Sequence, residues 1–458
     1  MNTNIKTIII FFLFALFVFN SCNKDEQPTT NQITDEIRIV NKFIYDNTNE
    51  LYLWNEYIPG GIDINNYPIP YDLFEDMYYP TLDHWSFVTD DYQGVLNSLD
   101  GIRKTAGFRI QLYQYATGNN VFAWVEYVYE GGPAVAAGIK RGDIIISING
   151  QTMNTTNYQD LLDVDVMQLG LGILVDSTIT DIGQSVDVTK VEMTIEPVLI
   201  DSVLEISGDK IGYLLYDQFT GDVNNLENVM TSFKNQNISD LVLDLRFNSG
   251  GYATTCDSLA SMLAPSYTAG EVFLTYQWND ILTAAIIEEF GTQNDWFTTV
   301  FPTPPVNLNL SRLYVLTSGR TASASESLVN GLRPYMDVFL IGETTAGKYT
   351  SAWFLDDKDH PSNNWGLYLV TSRLSNKNGV TDFVDGFTPD YLVYDDYTTP
   401  LGDQTEPLLA KAISLITGIT AKASHSPSMN FKTVEKIYDS RLEKEGMMVI
   451  KDRTLLRK

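Results

Sequence analysis

Ser323 and Lys348 are the residues around which a chemical reading of this chain gathers. The serine lies in a small, hydroxyl-rich turn, Thr321-Ala322-Ser323-Ala324-Ser325-Glu326, directly after the strand-like run Leu313-Tyr314-Val315-Leu316. A second apolar run, Val338-Phe339-Leu340-Ile341, ends in a glycine-framed turn that carries Lys348. A hydroxyl is a poor nucleophile and needs a base and a place for the oxyanion. Ser323 sits between two alanines, where a backbone can approach a substrate. Burial of Lys348 behind Gly347 would disfavour its ammonium form and leave a neutral amine to act as general base. Gly250-Gly251, after the apolar run Leu241-Val242-Leu243, would supply oxyanion donors together with the Ala324 N–H, because glycine leaves such donors uncovered. Each feature also has a plain structural reading. Ser323 or Ser325 would serve as a helix N-cap, with Glu326 closing a capping box on Ser323. A lone lysine after glycine is ordinarily solvated.

Rival chemistry is thinly represented. The three histidines, His84, His360 and His425, fall into no pattern with one another or with other ligands. That weakens a histidine base and a zinc site alike. A Gly-x-Ser-x-Gly elbow is absent, which disfavours an α/β-hydrolase. The two cysteines, Cys22 and Cys256, cannot build a disulfide framework. A formal net charge of -28 argues against nucleic acid as a partner, since binding it requires clustered Lys and Arg. No metal and no cofactor are expected.

The elements that must position the pair fall into successive regions. With 458 residues, 44% of them hydrophobic, the chain has material for two or three domains. Residues 1–21 read as an export signal: Lys6 precedes the apolar run 8–19, which is shorter than the about 20 residues a spanning helix needs. Its end, Phe19-Asn20-Ser21-Cys22, resembles a bacterial lipobox. That implies lipidation of Cys22 and an envelope location, outer membrane and in some cases cell surface, with cleavage by ordinary signal peptidase as the alternative. Residues 22–35 form a polar linker. Residues 36–100 form a helical region rich in aromatics, with an amphipathic helix through Ile37, Val40, Phe43 and Ile44 that continues into Leu51-Tyr52-Leu53-Trp54.

Residues 101–195 change to strand patterns, and Asn149-Gly150 marks a tight hairpin. Gly131-Gly132-Pro133-Ala134, Ala137-Gly138-Ile139-Lys140-Arg141-Gly142-Asp143 and Ile148-Asn149-Gly150 together resemble the signature of a PDZ domain. The resemblance implies binding of peptide C-termini by strand addition, with backbone N–H groups of Ala106, Gly107 and Phe108 holding the carboxylate. Residues 196–420 alternate strands and helices, an α/β pattern with active groups at strand C-termini. Within them, residues 268–310 read as a looser insertion or lid. The tail 421–458 mixes both charges.

Leu243-Asp244-Leu245-Arg246-Phe247-Asn248-Ser249-Gly250-Gly251, Gly319-Arg320-Thr321-Ala322-Ser323-Ala324-Ser325-Glu326, Gly342-Glu343-Thr344-Thr345-Ala346-Gly347-Lys348 and Gly386-Phe387-Thr388-Pro389-Asp390 resemble the motifs of the carboxyl-terminal processing, or tail-specific, proteases. Leu82-Asp83-His84-Trp85-Ser86 resembles a motif of their lipoprotein branch. The resemblance implies a multi-domain α/β fold: a crotonase-like protease core, a PDZ domain and a helical N-terminal piece. It places the Ser/Lys dyad on Ser323 and Lys348, selecting Ser323 over Ser325, and implies protein substrates with free C-termini. Two positions depart from the pattern. Ser249 stands where proline is usual. Ala352 stands where many members carry a glutamine that orients the lysine. Either a hydroxyl, with Thr350 and Ser351 adjacent, replaces that amide, or the dyad is slack. In the latter case the chain would be an impaired envelope lipoprotein that binds peptide ends without cutting them.

Overall fold

A computed structural model describes residues 33–115, 118–175, 178–381, 383–419 and 434–437. The expected signal sequence, Cys22, His425 and most of the tail lie outside the described residues.

The chain folds as α/β protein around two sheets and a separate β-domain. The first sheet runs Val198–Ile206, Asp209–Tyr216, Asp240–Asp244, Arg312–Thr317, Asp337–Gly342, Tyr391–Leu392. Its first pair is antiparallel and the rest are parallel. Every residue of Asp240–Asp244 is buried, as its unbroken apolar centre requires of a strand covered on both faces. Parallel strands need crossovers, and helices Asn224–Gln236, Ala253–Leu263 and Ala324–Leu332 supply them. Consequently the loops leaving Asp240–Asp244, Arg312–Thr317 and Asp337–Gly342 emerge at one edge of the sheet. They carry Gly250-Gly251, Ser323 and Lys348 respectively.

The second sheet is antiparallel. Gly366–Asn376 pairs with Phe87–Thr89, Thr350–Asp356 and Val272–Trp278. Residues 268–310 are therefore not a lid. They hold Val272–Trp278, the helix Asp280–Phe290 and Thr298–Val300. Phe273, Leu274, Trp278, Leu282 and Ile286 are buried in the main core, and Asn279 caps the helix through Leu282 N–H at 2.7 Å. The amphipathic strand and its cap were present in the sequence but masked by the proline-rich segment that follows them.

The N-terminal region shares this core. Helix Asp35–Leu51 starts at Thr34, whose side chain accepts from Ile37 N–H, and buries Val40, Phe43, Ile44 and Leu51. It stops at Tyr52 instead of continuing to Trp54, because Leu53 N–H leaves the helix for Val370 O at 3.0 Å. The PDZ-like sheet has its own core, with Ile110, Leu112, Val121, Val125, Ile145, Ile148 and Leu169 buried together. Asn149 and Gly150 both have positive φ, 53° and 74°, as the hairpin between Ile144–Ile148 and Gln151–Thr152 demands.

Arg246 joins these parts. Its guanidinium is 2% exposed and lies 2.8 Å from Asp244, 3.0 Å from Asp395 and 2.7 Å from Glu406. Asp395 also receives Arg141 of the PDZ-like domain at 2.5 Å. Burial alone would raise the Asp395 carboxyl, yet Arg141 and Arg246 outweigh it and hold it at about 2. Removing one member of such a cluster strands the others without a counter-charge. Arg246→Met is expected to cost on the order of 3–5 kcal/mol, read as a large fall in melting temperature. An unchanged melting temperature would contradict this account.

Candidate active site

Ser323 closes the loop leaving Arg312–Thr317 and stands at the N-cap of helix Ala324–Leu332. Its backbone is held at φ 59°, ψ -112°, a region a serine enters only under constraint, at a cost of about 1–3 kcal/mol. The loop is pinned at several points. Thr321 Oγ1 donates to Leu245 O at 2.9 Å, and Ala322 N–H donates to Asn248 O at 3.2 Å. Ser325 Oγ donates to that same Asn248 carbonyl at 3.0 Å. The second serine of the turn is thus occupied in holding it, which separates Ser325 from Ser323 on physical grounds.

Glu326 ties this turn to the lysine turn. Its carboxylate is buried. Oε2 accepts Ser323 N–H at 3.0 Å and Lys348 N–H at 2.8 Å, while Oε1 accepts Gly347 N–H at 2.7 Å and Thr345 Oγ1 at 2.6 Å. The amide nitrogens of Ser323 and Lys348 share one oxygen, so they lie within two hydrogen-bond lengths of each other. Burial pushes the Glu326 carboxyl up to about 7, against these hydrogen bonds, which favour the ionised form. The capping-box glutamate read from the sequence therefore does more than cap. Gly347 permits the approach: its φ is +87°, and a Cβ there would fall 2.2 Å from Val384 O.

The Lys348 side chain is wholly buried. Burial pushes its amine down to about 7, with Asp83 and Glu326 pulling the other way. Nζ donates to Tyr368 Oη at 2.7 Å and faces the rings of Trp85 and Tyr368 at 5.1 and 4.8 Å. No carboxylate among the described residues lies within ion-pair distance of it. Neither Thr350 nor Ser351, the hydroxyls adjacent to Ala352, bonds the amine. Ser351 Oγ is engaged with Ser372 Oγ, so the hydroxyl at the amine comes from Tyr368 on the neighbouring strand. Ala352 is buried in the same cluster as Tyr368. Nothing local in the apolar run Leu367-Tyr368-Leu369-Val370 signals this contact. The Asp83-Trp85 motif was noticed, and it does lie at the lysine.

At the glycine turn the donors divide. Gly250 N–H is taken by Asn248 Oδ1 at 2.9 Å, so it is not open to a substrate. Among the described residues nothing accepts from Gly251 N–H or Ala324 N–H. Gly251 has φ +139°, and a Cβ there would sit 2.1 Å from Phe219 O, so no other residue fits. Of the described histidines, His84 is exposed, and His360 Nδ1 meets Asp357 at 3.0 Å.

In the PDZ-like domain, Ala106, Phe108, Ile110, Leu162 and Met167 line a cavity of about 160 Å³, with Lys190 among the cations at its rim. Gly107 N–H is taken by Thr105 Oγ1 at 3.1 Å. Arg320, upstream of Ser323 in the same loop, donates to Ile110 O at 2.9 Å and so touches the edge strand of that domain.

Comparison with known proteins matches residues 210–393 to the model "Peptidase family S41", 40–87 to "Peptidase S41 N-terminal domain" and 124–166 to "PDZ domain". A carboxyl-terminal-processing protease of Picosynechococcus sp. is 28% identical over 48% of this chain and 49% of its own length. The carboxy-terminal processing protease CtpB of Bacillus subtilis is 24% identical over 57% of this chain and 52% of its own. The chain thus spans about half the length of these curated relatives. A crystal structure of a putative S41 protease from Bacteroides fragilis aligns with a TM-score of 0.66 at 26% identity, covering 82% of this chain and 97% of that one. A photosystem II D1 C-terminal processing protease shares the fold, with a TM-score of 0.52 at 19% identity over 85% of this chain and 99% of that one. With both S41 models and the intervening PDZ model matched in order along an α/β core of this architecture, the chain belongs to peptidase family S41.

Proposed function

We propose that the chain is a serine endopeptidase that cuts polypeptides near their C-termini through Ser323 and Lys348. The observation that carries this reading is the Lys348 amine: buried, unpaired with any described carboxylate and lowered to about 7, on a residue whose backbone N–H shares a Glu326 oxygen with the backbone N–H of Ser323. A lysine in that state accepts a proton at neutral pH, which a solvated ammonium does not. Lys348 takes the Ser323 Oγ proton as Oγ attacks the scissile carbonyl. Gly251 and Ala324 N–H groups hold the oxyanion, and Lys348 returns the proton to the departing amine. Water then hydrolyses the acyl-enzyme by the same route. Ala106, Phe108 and their strand would hold the substrate's free carboxyl end. The lipid anchor at Cys22, and with it the envelope location, rests on the sequence alone. The alternative is an impaired binder, motivated by Ala352; the Tyr368 hydroxyl at the amine favours the active reading over it.

Ser323→Ala is expected to abolish both peptide cleavage and labelling by a fluorophosphonate, with an unchanged circular dichroism spectrum. Full activity in this variant would sink the assignment. The pH profile has a fixed sign. Below its pKa of about 7, Lys348 is an ammonium and cannot accept a proton, so kcat/KM should rise through pH about 7 and then level. Protonation of Glu326, which burial also moves to about 7, acts in the same direction. A rate that stays flat from pH 5 to 8, roughly the window in which such a base would titrate, would exclude Lys348 as the base.

A further inference from the structure

We propose that the Tyr368 hydroxyl is the positioning group for Lys348, fixing the direction of the amine that receives the Ser323 proton. The proposal rests on the Ser323/Lys348 reading. A neutral amine at the end of four methylenes has rotational freedom, and its lone pair must point at the serine for a proton to move. Tyr368 Oη accepts one N–H at 2.7 Å, and the ring faces of Tyr368 and Trp85 flank the remainder. Tyr368 is itself clamped. It lies on Gly366–Asn376 between two paired strands, opposite Phe87 on one side and Phe354 on the other. The Phe87 ring stacks on it at 5.2 Å and 9°. Ala352, small and buried in the same cluster, leaves the ring its space.

The choice of a phenol matters. The other titratable groups facing the amine are Asp83 and Glu326, both of which favour the ammonium. Asp83 Oδ1 is turned to Trp85 and Ser86 N–H groups at 2.8 and 3.0 Å, and Glu326 is turned to the backbone. A carboxylate on Nζ would hold the proton permanently. Burial pushes the Tyr368 phenol well above its ordinary value, so it stays neutral and orients the amine without trapping it as a cation.

Tyr368→Phe keeps the ring and deletes only the oxygen. Fluorophosphonate labelling rates of this variant, wild type and Ser323→Ala would be compared across pH. The expected result is a rate lower by roughly 10- to 100-fold at the plateau, with KM for a peptide substrate unchanged. The acid limb should also move to lower pH, because an oxygen that stabilises the ammonium has gone. A rate equal to wild type, or a lower rate with the limb unmoved, would overturn the proposal while leaving the dyad reading intact. Failure of wild type to label would overturn the dyad reading itself.

A second inference comes from the edge of the PDZ-like sheet. Strand Phe108–Tyr115 is already paired there: Val434–Ile437 runs antiparallel to it, with Val434 opposite Tyr115 and Ile437 opposite Leu112. Gln111 Nε2 donates to Ile437 O at 3.3 Å, and Lys436 Nζ lies 2.6 Å from Glu343 of the core. The segment advances toward Phe108, the direction a peptide must take to bring its carboxylate to the loop before that strand. We infer that Val434–Ile437 is an internal occupant of this edge and competes with the C-termini the domain would bind.

The test is a full-length Glu435→Pro/Lys436→Glu variant, in which proline removes a strand donor and glutamate repels Glu343. Its affinity for a fluorescein-labelled peptide ending in a valine carboxylate would be read by anisotropy. Binding about tenfold tighter than wild type is expected when an internal competitor is removed. Equal or weaker binding overturns the competition. Binding by neither protein overturns it together with the peptide-binding reading.

Discussion

One buried carboxylate sets the geometry of this site. Glu326 accepts four donors, two of them the amides of Ser323 and Lys348 on a single oxygen. A buried carboxylate is costly unless its acceptor sites are filled. Here they are filled by two loops that leave adjacent parallel strands, so the electrostatic demand of one side chain becomes a constraint on two backbones. The same constraint explains how Ser323 tolerates a positive φ. Its N–H is held by Glu326, the next residues enter a helix, and Asn248 O grips Ala322 and Ser325 on either side.

The environment of Lys348 is assembled from parts of the chain far apart in sequence. The core sheet supplies its backbone, the second sheet supplies Tyr368, and the N-terminal region supplies Trp85 and Asp83. This is why that region is fused to the protease core through a common set of buried side chains. A separate helical domain tethered by a linker could not exclude water from the amine. Strand Phe87–Thr89, which follows Trp85, is fixed to Gly366–Asn376 with Phe87 opposite Tyr368, so the Trp85 ring and the hydroxyl partner of the lysine are held together.

What the sequence made legible follows from locality. Ser323, Lys348 and the glycine turn each end a strand readable from its own apolar run, and the hairpin at Asn149-Gly150 is written in two residues. The contacts around the Lys348 amine and the glycine turn are not local. Tyr368 is one tyrosine in a strand of buried side chains, and only its pairing with Thr350–Asp356 and Phe87–Thr89 reveals which face it presents. The commitment of Gly250 N–H to Asn248 likewise depends on the shape of a turn. The misreading of 268–310 had another cause. Pro302, Pro304 and Pro305 drew attention to a loop, whereas Val272–Trp278 alternates as a strand and the apolar side chains of Asp280–Phe290 are consistent with a helix.

The state of Lys348 is a balance struck against the whole molecule. Asp83 and Glu326 both favour the cation at this position. Only desolvation opposes them, and it does so only while the amine stays wholly buried. Displacing Trp85, or letting water reach Nζ, would return the amine toward its ordinary basicity. Aromatic rings and a phenol suit this position because they fill space around a cation-forming group without supplying a charge that would fix its proton.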